Sequence, residues 1–250
     1  MLGCDIDPLT FDETVSEIDR LIRVGEPAQH CAVNAAKVVM LQQDSRLRDI
    51  VAGCRLVNAD GQSVVWASKL LGRPLPERVA GIDLFQALLS LAAQRGYSAY
   101  FLGAKPEVIH KVGTRASMEH PRLRIAGLRD GYFSANETGA VVESIREASP
   151  DMLFVGMPSP KKEYWLAENL KSLGVPFTMG VGGTFDVYAG VVKRAPLWMQ
   201  RSGFEWAARL LQEPRRMWKR YLVTNARFGW LVVRELLRNR ELHGVRPPTR

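Results

Sequence analysis

Short apolar runs alternate along this chain with stretches in which apolar positions recur every three or four residues, the rhythm of strands followed by amphipathic helices. The opening "MLGCDIDPLTFDETV" alternates briefly and reads as a short strand or turn. From Phe11, the positions Val15, Ile18, Leu21 and Ile22 predict a helix with Asp12 as N-cap. "HCAVNA" reads as a strand and "KVVMLQQ" as a helix, then "CRLVNADG" as another strand and turn before a helix at "SVVWASKLL". The most helical stretch is "RVAGIDLFQALLSLAAQRG", with Asp83 available as cap and Gly96 as stop.

Beyond it the pattern becomes regular. "YSAYFLGA" is an apolar strand, "PEVIHKVGTRASMEHP" a helix ended by proline, and "LRIAGLRDGYF" a strand and loop. "ANETGAVVESIREASP" follows as a helix capped by Asn136 or Thr138. "DMLFVGM" is a buried strand, "PSPKKEYWLAENLKSLG" a loop and helix, and "VPFTMGVGGTFD" a strand running into a glycine loop. Repeated strand, crossover helix and strand predict an α/β fold, a largely parallel sheet with helices on both faces. Ligands in such folds sit beyond the carboxyl ends of the strands. Asp60, Gly103, Gly127, Gly156, Gly182 and Gly183 are all expected there.

Near Pro196 the character changes. The remainder carries four of the six tryptophans interleaved with arginines, and Pro214 breaks it, so two or three amphipathic helices are expected. The sequence thus divides into a core over 1–195 and a basic helical appendage over 196–250. Charge sharpens the division. From Lys193 onward there are 14 Lys or Arg against four Glu, a balance of +10, which leaves −2 for the preceding 192 residues. A neutral body with a basic tail predicts an anionic partner, phospholipid or nucleic acid. No run reaches the roughly 18 apolar residues that a membrane span needs, and the acidic N-terminus does not read as a signal peptide. Three cysteines, Cys4, Cys31 and Cys54, in no metal-ligand spacing fit reduced thiols.

Several residues could carry chemistry. Asp60 in "NADG" is either a turn or capping carboxylate or a general base held at a strand end. Asn34 occupies the same position after the preceding strand, as a cap or a ligand contact. In "GVGGTFDVYAG", Gly182 and Gly183 allow a bound group to approach the backbone closely, and Asp186 is a cap or a site residue. Lys161 and Lys162 could serve a diphosphate as point charges or simply open a helix. Arg78 could clamp phosphate or pair with Asp83. The four histidines form no zinc motif, and neither a P-loop, a GxGxxG nor a GxSxG is present. An NAD-dependent oxidoreductase is disfavoured accordingly.

Ordered blocks then bring in a resemblance: "NAAKVV", "NADGQSVVWASKLLGRPLPERVAGIDL", "FLGAKP", "LRIAGLRDGYF", "PDMLFVGMPSPKKEYW", "GVGGTFDVYAGVVKRAP" and "GFEWAARLLQEPRRMWKRY". Through them the chain resembles the WecG/TagA/CpsF glycosyltransferases (glycosyltransferase family 26) over nearly its whole length. The resemblance implies a Rossmann-like core and metal-independent, inverting transfer from a UDP-sugar to a polyprenyl-diphosphate-linked sugar, in exopolysaccharide or cell-wall polymer synthesis. The place it implies is the cytoplasmic face of the bacterial inner membrane, bound peripherally through the basic appendage. No cofactor and no nucleic acid are then expected, and a homo-oligomer docked through apolar helix faces is compatible with the sequence.

Carried over, Asp60 is the base and Asn34 and Arg78 line the pocket. Arg209, Arg216 and Lys219 approach the diphosphates from the appendage. The chain departs from the family at Ala32, where a threonine is common, and at Lys162, where "SPKKE" replaces "SPKQE". The rival reading within the same pathway is a degenerate, membrane-peripheral structural protein.

Overall fold

A computed structural model of the chain describes the backbone at residues 1–201, 203, 205–212 and 214–244, with side chains at all of these except 201, 209, 215–217, 219–221 and 239–244. The opening residues turn at Leu2 and Gly3 and form no strand. Helix α1 (Phe11–Val24) is capped by Thr10, not Asp12. The Thr10 hydroxyl accepts from Glu13 N at 3.3 Å while the Glu13 carboxylate accepts from Thr10 N at 2.8 Å. This capping box satisfies two orphan amides at once, which Asp12 as cap could not. Strand β1 (Ala28–Val33) and α2 (Ala35–Leu41) follow as expected. Helix α3 (Ser45–Ala52) was not foreseen, because it buries only Leu47 and Val51 and so leaves little periodic signal.

Next come β2 (Leu56–Ala59), α4 (Gln62–Leu70) and α5 (Gly81–Arg95). Asp83 lies in the first turn of α5 and does not cap it, whereas Gly96 does end it in the left-handed region. The regular half contains β3 (Ser98–Gly103), α6 (Pro106–Glu119), β4 (Arg124–Arg129), α7 (Thr138–Ala148), β5 (Met152–Gly156), α8 (Lys161–Leu173), β6 (Phe177–Gly180) and α9 (Thr184–Tyr188). A 3₁₀ turn leads into α7, and Ser134 with Glu137 forms its capping box, displacing the expected Asn136 and Thr138. Gly127 proves to be inside β4, packed against the Tyr100 ring, not in a loop after the strand.

The six strands form one all-parallel sheet in the order β2-β1-β6-β5-β3-β4. The fold is therefore a Rossmann-like α/β layer structure, with side chains alternating between two apolar layers. Ala99 and Phe101 of β3 and Met152 and Phe154 of β5 face the layer built with α5, α6 and α9. Tyr100, Leu102, Leu153 and Val155 face the opposite layer with α7 and α8. Phe85 of α5 is the hub of the first layer, with the rings of Phe154 at 4.9 Å and Tyr188 at 5.2 Å.

Successive connections set where a ligand can enter. After β1 the chain turns into α2 in one layer, with Ala35, Val38 and Val39 buried there. After β6 it turns into α9 in the other, with Phe185 and Tyr188 buried. Because β1 and β6 are neighbours, a crevice opens between their carboxyl ends, the switch point of an open α/β sheet.

The chain ends in α10 (Leu197–Arg201), α11 (Glu205–Gln212) and α12 (Pro214–Gly244). The expected break at Pro214 falls between α11 and α12, with Pro214 opening the last helix, since the first helical position needs no amide hydrogen. Phe228, Leu231 and Val232 of α12 are buried in the same cluster as Val38 and Val39 of α2. Trp198, Trp206, Trp218 and Trp230 are exposed. Among the described residues, no helix is long and apolar enough to cross a membrane.

Candidate active site

Asp60 follows directly on β2 at the mouth of the crevice. Its amide donates to Val33 O of β1 at 2.9 Å, which extends the ladder by one residue and fixes where the side chain starts. Oδ1 then accepts from the amide of Gly81, the first residue of α5, at 2.8 Å. The carboxylate is thus a cap, as a turn-rich sequence suggests, but for a helix twenty-one residues away. Among the described residues Oδ2 takes no hydrogen bond, and the residue is only half-buried. One oxygen is oriented and the other is free to act.

The floor under Asp60 is polar and fully enclosed. Asn58 is not a turn residue: its Oδ1 accepts from His30 Nε2 at 3.1 Å and its Nδ2 donates to Thr14 at 3.1 Å. Burial pushes the His30 imidazole down to about 4 in spite of that bond, so the ring is neutral at ordinary pH. Ala32 pairs with Asn58 across the β1–β2 ladder, which puts a methyl group at this end of β1.

Asn34 lies against the Asp60–Gly61 turn, its Cβ 3.3 Å from where a Gly61 side chain would begin. Its Oδ1 caps α2 by accepting from Lys37 N at 3.1 Å, which leaves the Nδ2 donor for a ligand. On the far side of the crevice is the glycine loop, where Gly182 adopts φ 55°, in the left-handed region that glycine favours. Gly183 precedes α9, and Asp186 lies in that helix with its main-chain carbonyl accepting from Val191 and Val192.

Lys162 crosses beneath this loop. Its methylenes occupy the space that a Gly180 Cβ would need, at 2.7 Å, and its ammonium lies 3.7 Å from the corresponding point on Gly182. It donates to Ser159 Oγ and pairs with Glu163 Oε1 at 3.0 Å. Glu163 Oε1 is also bound by Lys37 Nζ at 2.7 Å and by Ser159 Oγ at 2.9 Å. Burial raises the Glu163 carboxyl, but Lys37 and Lys162 overcome it and hold the group down at about 2. Burial, with the Lys37 charge, lowers Lys162 as well, below the ordinary lysine range. Lys161, by contrast, is exposed and sits over the Phe133 ring at 5.8 Å.

Arg78 pairs with Glu205 of α11 at 2.9 Å, and not with Asp83. Asp83 takes a two-pronged bond from Arg194, at 2.6 and 2.7 Å, and Arg194 also approaches Glu205 at 3.6 Å. Gly203, between α10 and α11, packs so closely on Gln62 that a Cβ there would meet its side chain at 2.6 Å. The tail therefore meets the core two residues beyond Asp60. Arg209, Arg216 and Lys219 belong to α11 and α12, but their side chains lie outside the described residues.

The fold thus gathers Asp60, Asn34, Lys162, Gly182 and Gly183 around one crevice, with Arg78 at its edge. Lys37, Ser159, Gly81, Arg194 and Glu205 join this network although no motif in the sequence marks them. Lys37 left one usable signal, a lysine within the otherwise apolar "AAKVVML", where a buried charge demands a partner.

Residues 1–242 match the glycosyl transferase WecG/TagA/CpsF family. Two relatives are named N-acetylglucosaminyldiphosphoundecaprenol N-acetyl-beta-D-mannosaminyltransferase. That of Bacillus spizizenii (strain ATCC 23059 / NRRL B-14472 / W23) is 37% identical over 180 residues, 72% of this chain and 69% of its own. That of Bacillus subtilis (strain 168) is 38% identical over 174 residues, 70% of this chain and 67% of its own.

Proposed function

Because this chain belongs to the WecG/TagA/CpsF family of glycosyltransferases, we propose that it moves an N-acetylhexosamine or hexose from a UDP-sugar onto a sugar carried by polyprenyl diphosphate, with inversion and without a metal. The names of the two relatives favour N-acetylmannosamine as the sugar moved and a lipid-linked N-acetylglucosamine as acceptor. The product would enter a cell-wall polymer or exopolysaccharide.

The observation that carries the mechanism is the carboxylate of Asp60, held by Gly81 N–H through one oxygen with the other open to the crevice. In the reaction the acceptor hydroxyl oxygen attacks the anomeric carbon from the side opposite UDP. The bond from that carbon to the β-phosphate oxygen breaks, UDP leaves with the electron pair, and Asp60 Oδ2 takes the hydroxyl proton. The Gly183 backbone amide and the nearby cations would stabilise the leaving diphosphate, the Gly182 amide being already given to Val155 O at 3.3 Å. Asn34 Nδ2 is placed to hold the sugar beside Asp60.

The tail completes the site at an anionic membrane surface, on the cytoplasmic side. Support for this comes from its +10 charge balance, its exposed tryptophans and the packing of Gly203 against Gln62 beside Asp60. Arg209, Arg216 and Lys219 would then face the diphosphates, and closure over the crevice would limit wasteful hydrolysis of the donor. The decisive experiment offers each radiolabelled UDP-sugar to the full chain with a short prenyl-diphosphate N-acetylglucosamine. Transfer of label from UDP-N-acetylmannosamine is expected, and no transfer from any UDP-sugar refutes the reading.

A further inference from the structure

Two ammonium groups share one carboxylate beneath the glycine loop. Lys37 Nζ, Ser159 Oγ and Lys162 Nζ all converge on Glu163 Oε1, while Oε2 of the same group is buried with no hydrogen-bond partner among the described residues. Lys37 has the better share. It is the closer of the two cations to Glu163, and it also donates to Cys31 Sγ at 3.3 Å. A thiolate at Cys31 would bind Lys37 directly and act on Lys162 only as a charge without a hydrogen bond. Lys162 is left with a carboxylate already engaged and a neutral hydroxyl, although its side chain is nine-tenths buried. An ion removed from water with so incomplete a partner destabilises the fold unless something else compensates it.

The position of that charge shows where compensation can come from. The Lys162 stem passes over Gly180 and its ammonium comes up beside Gly182, and neither glycine has a side chain to screen it from the crevice. We infer that Lys162 is a donor-reading residue, whose ammonium takes an anionic group of the nucleotide sugar seated on the Gly182–Gly183 backbone. This deepens the proposed function and rests on its UDP-sugar donor. A terminal phosphate of UDP and a carboxylate on the sugar ring both offer the required charge.

The direction of the Lys162 shift agrees. Burial and the Lys37 charge disfavour its protonated form in the free protein, and an arriving anion would reverse that. The loop is then more than a close-approach turn. Its glycines both admit the lysine from below and leave the ligand in line with it.

The test compares wild type and Lys162→Gln for binding of uridine, UDP and UDP-glucuronate by calorimetry, and for transfer from neutral UDP-N-acetylhexosamines. Thermal unfolding checks that the variant is folded. A loss of about tenfold or more in UDP affinity and in kcat/KM with neutral donors assigns the anion to the diphosphate. A similar loss confined to UDP-glucuronate assigns it to a sugar carboxylate. If Lys162→Gln changes neither binding nor transfer while wild type does both, the inference falls and the donor reading stands. Should the variant not fold, wild type alone decides, because equal affinity for uridine, UDP and UDP-glucuronate overturns the inference. Absence of binding by every uridine compound overturns the donor reading and this inference with it.

Discussion

The crevice and the tail hold their polar residues in opposite ways. Around the crevice the polar groups are fixed by the fold: the enclosed Glu163 by two lysines and a serine, and the half-buried Asp60 carboxylate by Gly81 N–H through one oxygen. The tail meets the core through partly exposed ion pairs, Glu205 with Arg78 at 2.9 Å and with Arg194 at 3.6 Å, and through one buried face of α12. Enclosed charges cannot rearrange without large cost, whereas exposed pairs are screened and individually weak. Chemistry needs the first kind of order. A segment that must meet a surface and release product is served by the second.

That contrast is open to measurement, and the largest effect should come from Asp60→Asn. The amide can still accept from Gly81 N–H through its oxygen, so the thermal midpoint should stay put while kcat falls roughly 10²–10⁴-fold. Near-normal turnover would remove Asp60 from the chemistry and leave the crevice without its base.

A second effect belongs to the enclosed side alone. His30 titrates at about 4 in the folded chain against 6.5 when unperturbed. Unfolding therefore takes up a proton between those values, so the stability this group confers is full above pH 6.5 and is lost as pH falls through about 4. The loss is on the order of 3 kcal/mol. His30→Gln should flatten that part of the denaturation profile; an unchanged profile would show that the ring does not titrate as its burial implies.

Smaller effects are expected where the tail meets the core. Arg78→Gln and Glu205→Gln, singly and together, should give a coupling energy of about 1 kcal/mol in chemical denaturation, shrinking with salt. A coupling several times larger would make this junction as rigid as the crevice. The least change should follow Trp230→Ala, whose ring is exposed on α12 with Arg234 stacked on it at 4.9 Å. Sedimentation with anionic vesicles should weaken only a few-fold, roughly 1 kcal/mol or less from one interfacial ring and its cation–π pair, while the thermal midpoint holds. Full-strength sedimentation by this variant would move the membrane-facing surface elsewhere on the tail.

Strands and long helices were legible because burial repeats with a fixed period. β3, β5 and β6 are nearly uninterrupted apolar runs, and α5 shows its face in Leu84, Phe85, Leu88 and Leu89. Caps were less legible. Asp12, Asn136, Thr138 and Asp83 all have cap chemistry, and the positions went to Thr10 and Ser134 because each has a glutamate three residues on, or in α5 to the distant carboxylate of Asp60. Asp60 and Asn34 could be placed at strand ends from pattern alone, since in a parallel sheet every strand end lies on one edge.

By itself the sequence determined the alternation of strand and helix, the glycine loop after β6, the neutral core beside a basic tail, and the blocks that identify the family. Each is a property of neighbouring residues or of their order. Only the tertiary structure decided that Asp60 is held by Gly81, that Arg78 turns to Glu205, and that Lys162 and Lys37 compete for Glu163. These partners lie on different elements, or face each other only once the helices pack. Their energies depend on how far each pair is removed from water, and that is set by the layers of the fold, not by the order of the chain.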